Sequence, residues 1–287
     1  MSKSKNNSGL ALIAVLWLVA AMGLIITGVV KSVRAETSNS GFQRQSFKAQ
    51  VQADACLVLA LQNLHAQPQQ NTQAVKIGNF EFAGQSCLVT ASTLNGLIDI
   101  NNAQAPLFAE LYRVMGGLNN EAAQALAQTT IQARSLQSAK GLKVGFEAPE
   151  DLLRVPGMTY DLYAMIRDLV TADIKDGSGR INPLAAPVAV LQVIAGGDYN
   201  KAAAYSANRA AGPVGLDSTF FKPDWVENTV STTVRLQTTA ELPGSGHMTR
   251  IWDVMGIHDD RTGLPWRILG KSSFFSKSAS PNNLLNP

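Results

Sequence analysis

The sequence predicts an α+β fold: a long N-terminal helix packed on an antiparallel sheet, with a large all-α insert of hairpin-like helical units. Three observations predict it. Residues 10–30 carry no charge, and no proline occurs between Gly9 and Pro68. Strand-like runs occur in two places, near residues 75–100 and 230–270. Between them lies a block whose apolar residues recur at helical rather than strand spacing.

The apolar run reads LALIAVLWLVAAMGLIITGVV, between Lys3 and Lys5 on one side and Lys31 and Arg34 on the other. A helix rising 1.5 Å per residue crosses a ~30 Å hydrocarbon core in about 20 residues, so the run is long enough to span a bilayer. A secretory signal has a shorter apolar core, roughly 7–15 residues, and a small-x-small cleavage site. Here Lys31-Ser32-Val33-Arg34 follows instead. On hydropathy alone, a plain single-pass anchor is also open.

Residues 31–66 turn polar but stay helical in pattern. Phe47, Val51, Ala55, Val58 and Leu61 recur every three or four positions, which predicts one apolar stripe. A continuous helix from Leu10 to His65 would be on the order of 80 Å long. Its first half, 10–30, would face lipid, and its second half, 31–66, would lie under a sheet.

Residues 67–73 read as a glutamine-rich loop opened by Pro68. Short strands follow at 75–77, 80–82, 87–90 and 97–100, with Gly78-Asn79 and Asn95-Gly96 as hairpin-type dipeptides, so 67–101 is the first part of the sheet. Cys87 falls in a strand and Cys56 on the helix. In an oxidising compartment a bridge would tie sheet to helix; two buried thiols are the alternative.

The insert is assigned to 102–215, with helices at 103–115, 120–135, 147–170, 185–194 and 199–211. Gly116-Gly117 and residues 140–145 break it, and Asn119 ahead of Glu121 makes a helix start. The sheet resumes over 216–274. Val230, Thr232, Val234 and Leu236 alternate with other residues, and further strands read at 250–257 and 266–270. Turns read at 243–246 and 259–263, and residues 275–287 as a flexible tail.

Charge and motif content exclude several functions. The net charge is +3, and it falls to +1 without Lys3 and Lys5, too small a field to point to nucleic acid or anionic lipid. His65, His247 and His258 form no metal-ligand spacing. There is no Gly-x-Ser-x-Gly, P-loop or His-Glu-x-x-His, so the sequence does not read as an enzyme.

Leu152-Leu153-Arg154-Val155-Pro156-Gly157-Met158-Thr159, followed by Leu162 and Ile166, resembles a helix-hairpin-helix. A degenerate second copy runs from Val190 to Gly197. Such hairpins can offer backbone amides to phosphate. Here Glu147, Glu150, Asp151, Asp161 and Asp168 outnumber Arg154 and Arg167, so a phosphate meets net repulsion and the hairpin reads as a packing unit. The string Asp176-Gly177-Ser178-Gly179 suggests a calcium loop. An EF-hand in that register would need ligands at its first and twelfth positions, which hold Ile174 and Ala185. A calcium site of another kind, built from Asp173, Asp176, Asp259 or Asp260, stays open beside the reading of solvated turn acids.

The leader MSKSKNNSG resembles the class III leader of type IV pilins and pseudopilins, in which a prepilin peptidase cuts after the glycine. That resemblance implies cleavage between Gly9 and Leu10 and N-methylation at Leu10. It puts residues 1–9 in the cytoplasm. Most pilins carry a glutamate five residues after the cut, where this chain has Ala14. A carboxylate in lipid without a partner costs at least ~2.5 kcal/mol, so a subunit with nothing above it is better without one.

Four features occur in the order found in the K minor pseudopilins of type II secretion systems: this leader, Leu97-Ile98-Asp99-Ile100-Asn101, the block from Glu150 to Thr159, and Ser178-Gly179-Arg180-Ile181-Asn182. The sequence resembles that family. The resemblance implies a pilin-like fold and a single-pass protein of the inner membrane with its C-terminal part in the periplasm. It implies a place at the pseudopilus tip with minor pseudopilins I and J, where the protein initiates or caps assembly. Other pseudopilins, exoproteins and the secretin are further implied contacts, and nucleic acid is not expected. Members often carry an Asp-rich segment with a tryptophan, and residues 134–145 have neither. No calcium ligands are carried over, and no other cofactor is implied. A minor type IV pilin or DNA-uptake component, and an uncleaved membrane adaptor, are the alternatives.

Overall fold

A computed structural model describes residues 8–66, 74–135, 145–172, 177–212, 215–242, 246–256 and 259–277. Its N-terminal element is one helix, α1 (Ser8–Ala66), of 59 residues. The described side chains of its apolar run are exposed on every face, Trp17 and Leu24 among them. Gly23 and Gly41 do not break it, and the hydroxyls of Thr27 and Thr37 donate to the carbonyls of Gly23 and Val33.

The second half of α1 buries Ala49, Ala53, Cys56, Leu57, Ala60 and Leu61. This seam is rotated from the stripe the sequence predicts. Phe47 is 67% exposed and Val51 44%, so both lie on a flank. Small side chains let strands approach a helix closely, and the alanines and Cys56 therefore set the contact line rather than the larger apolar residues.

The strands β1 (Val75–Phe82) and β2 (Gln85–Thr93) form a hairpin. Gly78-Asn79 lies inside β1, not at a turn. The turn falls at Ala83-Gly84, where both residues have positive φ, +52° and +75°, as a two-residue type I′ loop requires. Asn95-Gly96 likewise makes no hairpin; it closes a buried 3-10 turn, Leu94–Gly96.

Beyond that turn the chain enters the helical part. The strand expected at 97–100 shortens to β3 (Ile98–Asp99), which pairs in parallel with β4 (Val170–Thr171) and not with the main sheet. Helices α2 (Ala105–Val114) and α3 (Asn120–Arg134) come next, and the Asn119 side chain accepts from Ala122 N at the start of α3. The helical span expected over 147–170, with its hairpin at Pro156-Gly157, is a 3-10 helix, Pro149–Arg154, a turn, then α4 (Tyr160–Ile166) and a 3-10 turn, Arg167–Leu169, so its first helix is 3-10 and shorter than expected. Pro156-Gly157 stops the first piece, since proline removes a donor and glycine here takes positive φ. Helices α5 (Val188–Ile194) and α6 (Tyr199–Ala211) complete the block.

The chain then returns to the sheet through β5 (Thr233–Leu242), β6 (Gly246–Met255) and β7 (Arg267–Lys277). Val230 and Thr232 precede β5 instead of belonging to it, β6 begins four residues before Arg250, and β7 runs on through Phe274 and Phe275. The order is β1-β2-β5-β6-β7, all antiparallel. β2 and β5 are neighbours, with Thr93 opposite Val234, so the helical head leaves and re-enters the sheet at adjacent strand ends. The last residues of the tail, 278–287, and the loop 67–73 lie outside the described residues.

Two cores result. The head packs Ile98, Phe108, Leu111, Leu152, Ile166 and Leu191, with the Tyr112 hydroxyl 2.9 Å from Thr130 Oγ1. The spine and sheet pack Leu57, Leu236, Trp252 and Val254 around a disulfide between Cys56 and Cys87, whose Cα atoms are 6.5 Å apart. Replacing both cysteines by serine should lower stability by about 3–4 kcal/mol, the loop-closure value for a sequence separation of 31. Thermal unfolding of the variant beside reduced and oxidised wild type checks this; an unchanged midpoint would remove the bridge from the stability argument.

Candidate functional site

Gly9 and Leu10 belong to the first turns of α1, and residues 1–7 of the leader lie outside the described residues. The helix contains one stretch long and apolar enough to cross a membrane. Ala14 falls within it and is exposed.

Above that stretch the helix is fastened to the sheet twice. One tie is the Cys56–Cys87 disulfide to β2. The other is a two-pronged ion pair, Arg250 Nε and Nη2 of β6 donating to Asp54 Oδ1 and Oδ2 at 2.8 and 3.0 Å. A second pair of the same form, Arg235 to Asp253 at 2.7 and 2.8 Å, crosses from β5 to β6 on the opposite face of the sheet.

The head joins the sheet through a neck that uses two of the sequence blocks quoted above. Asn95 Nδ2 and Asn182 Nδ2 both donate to the Thr229 carbonyl at 2.8 Å, and Asn182 N donates to the Asn95 carbonyl at 2.8 Å. Ile181 N donates to the Trp225 carbonyl, and Glu227 N to that of Ile181. The three segments are thereby laced into one strap. In the other block, Asn101 accepts from Phe146 N and donates to the carbonyls of Phe146 and Ala172. Asp99 accepts from Asn101 N and Asn102 Nδ2 at 2.9 and 2.6 Å, and Arg134 Nη1 donates to the Ala103 carbonyl at 2.6 Å. Burial pushes the Asp99 carboxyl above its ordinary value, against the lowering pull of those hydrogen bonds and the Arg134 charge.

The hairpin turn is Val155–Pro156–Gly157–Met158, closed by Met158 N donating to the Val155 carbonyl at 3.0 Å. Val155 is buried, and Thr159 Oγ1 caps α4 by accepting from Leu162 N. Gly157 has φ +92°, and a Cβ there would lie 3.4 Å from Leu126 of α3. Pro156 and Gly157 are themselves exposed, so the turn touches α3 with one side only. In its second copy the exposed Gly196 accepts at its carbonyl from Arg113 Nη2 of α2 at 3.0 Å, and Asp198 caps α6 by accepting from Lys201 N. Arg113 also pairs with Glu110. Burial, with the Glu150 charge beside it, pushes the Tyr163 hydroxyl up to about 12.

No three His, Cys, Asp or Glu side chains converge as a metal site among the described residues. Asp173 and Asp176 lie outside them, as does His258. Asp259 is engaged within its own turn: it accepts from Arg261 N and Thr262 Oγ1 at 3.2 Å and sits 3.7 Å from the Arg261 and Arg267 guanidinium groups. Asp260 adjoins it in the same turn and has an interaction of its own. His65 lies edge-on to Trp266, with ring centres 6.2 Å apart, and His247 is in β6.

Sequence reasoning picked out Asp99, Asn101 and Asn182 inside blocks but not what they hold. It read Asn95 as part of a hairpin turn, and it missed Arg134, Thr229 and the Asp54–Arg250 pair. Thr229 acts through its carbonyl, which leaves no mark in the sequence.

Gly157→Ala should cost about 1–2 kcal/mol, from positive φ and the Leu126 contact, as read by chemical denaturation. Carboxyl NMR titration should place Asp99 above 3.8 and Asp259 below it, the latter held down first by the Arg261 amide. The signs follow. Asp99 favours the folded state increasingly as pH falls towards its ordinary value, whereas the contribution of Asp259 is full above its ordinary value and is lost as pH falls through the folded one.

No family model matches the chain, and no curated protein matches it. Among solved structures, a chain of the GspK-GspI-GspJ complex from the enterotoxigenic Escherichia coli type 2 secretion system is similar, with a TM-score of 0.49 and 16% identity over 81% of this chain and 98% of that one.

Proposed function

We propose that this chain is a minor pseudopilin at the tip of a type II secretion pseudopilus, where it initiates or caps assembly and supports protein export across the outer membrane. The observation that carries the reading is α1: one unbroken 59-residue helix, apolar and exposed at one end and seated under an antiparallel sheet at the other. The leader ending in Gly9 and the four ordered sequence blocks give the resemblance to the K minor pseudopilins. A bulky head spliced between adjacent strands suits a subunit that carries nothing above it, and so does Ala14 where a filament subunit would hold a glutamate.

On this reading the chain is a structural part rather than a catalyst. The inner membrane holds it, a prepilin peptidase processes it, and minor pseudopilins I and J are its partners, with other pseudopilins, the secretin and exoproteins as further contacts. Nucleic acid is not a partner on this reading, because acids outnumber basic residues around the first hairpin.

The test is the N-terminus of the protein recovered from membranes that contain prepilin peptidase. The expected chain begins at Leu10 and is N-methylated. A chain beginning at Met1 or Ser2, with the peptidase active on a control substrate, sinks the proposal and leaves a membrane adaptor. A start beyond Val30 would mean a secreted protein.

A further inference from the structure

β7 is the last strand of the sheet, and no described strand pairs with its outer edge. Its pairing with β6 shifts at Asp253/Val254 and is regular from Lys271 to Lys277. That regular part holds Phe274 and Phe275, 45% and 66% exposed, and no proline. Sheet proteins commonly blunt such an edge with prolines, bulges or inward-pointing charges, because its unpaired amides and carbonyls are a template for another strand.

Phe275 lies opposite Met248, and directly paired residues point to the same face of a sheet. Met248 is buried against Ala49 and Ala53 of α1, so Phe275 points to the helix side. Lys271 has the same parity, and its ammonium lies 3.9 Å from the centre of the Trp252 ring on that side. On α1, Asp54 is bound by Arg250 of β6, and Val51 and Phe47 stand three and seven residues before it. Residues at those spacings share one side of a helix, so both turn towards β6 and β7. Phe47, Val51 and Phe275, all exposed, thus stand on the two sides of the angle between the spine and the free edge. An exposed apolar patch of this kind marks an interaction surface.

We propose that an extended segment of another polypeptide adds to β7 as a further strand of the sheet, with alternate apolar side chains set against Phe275, Phe47 and Val51. A strand uses both parts of this surface, the unpaired backbone and the apolar angle beside it. Main-chain bonds give the affinity and alternate side chains the selectivity. A helix would cover the phenylalanines and leave the edge unpaired. A second copy of β7 is disfavoured, because the strand carries Arg267, Lys271 and Lys277 and no acid, so like charges would face one another. The same charges favour a segment that carries acids among its apolar residues.

The test uses the full chain in phospholipid nanodiscs and the fluorescein-labelled peptide Glu-Val-Ser-Val-Ser-Val-Ser-Glu, followed by fluorescence anisotropy. Two further forms are N-methylated at every valine or at every serine, and each lacks the donors along one edge of the strand. The plain peptide should bind saturably, and at least one methylated form should bind tenfold more weakly. Replacing its glutamates by lysines should weaken binding at least threefold at low salt. Phe275→Ser and Phe47→Ser change exposed side chains and should each weaken binding at least fivefold, with circular dichroism to show that the variants fold. The proposal is overturned if the plain peptide does not saturate, if both methylated forms bind as it does, or if the lysine peptide binds as tightly. It is also overturned if both folded variants bind as the wild type does. Self-association of the chain that Phe275→Ser abolishes, without peptide binding, overturns it in favour of a second copy.

Discussion

The structure depends on the pairing of β2 with β5. Every residue of the head lies between these two neighbouring strands, so the sheet is complete only when Thr93 and Val234 stand opposite each other. Closing a loop of that length costs about 4 kcal/mol in chain entropy for a flexible chain. The head reduces that cost by folding on its own core and presenting its two ends together. The strap of Asn95, Asn182 and Thr229 lies where those ends meet, and the parallel β3–β4 contact begins just beyond it. Splicing a large domain into a sheet is tolerable when the domain's ends are already close.

The spine is held by a different set of forces. Its seam of alanines, Cys56 and leucines gives close approach but little apolar area per residue. The contact is reinforced by a covalent bond to β2 and a two-pronged ion pair to β6. These two strands lie on either side of β5 in the sheet order, so the ties resist rotation of the helix about its own axis. The half-buried Asp54–Arg250 pair adds geometric definition more than net energy, since desolvation offsets much of the attraction.

Much of the architecture was legible in the sequence because it rests on strong local signals. An uncharged run, an asparagine before Glu121 and a Pro-Gly pair each dictate backbone behaviour, and the helix at Tyr199–Ala211 has the bounds its pattern predicts. The illegible parts share a cause. The spine's contact line is drawn by alanines, which carry little periodic signal, so Phe47 and Val51 misled. Gly78-Asn79 has the composition of a turn, but strand pairing overrode it and moved the turn to Ala83-Gly84. The neck joins residues far apart in the chain through a backbone carbonyl, which no side-chain pattern announces. Phe275 is an ordinary strand residue until the fold sets it on the helix side of a free edge.

The length of α1 also has a mechanical meaning. On the proposed reading, in which a bilayer would hold its apolar end, the helix would be a lever whose pivot lies near residue 20 and whose load, the sheet, is carried near residue 57. The arm is about 55 Å, so a tilt of about 10°, within the ordinary range for membrane helices, sweeps the sheet sideways by about 10 Å. On that reading a small reorientation at the anchored end would displace the sheet by several times the displacement near the pivot.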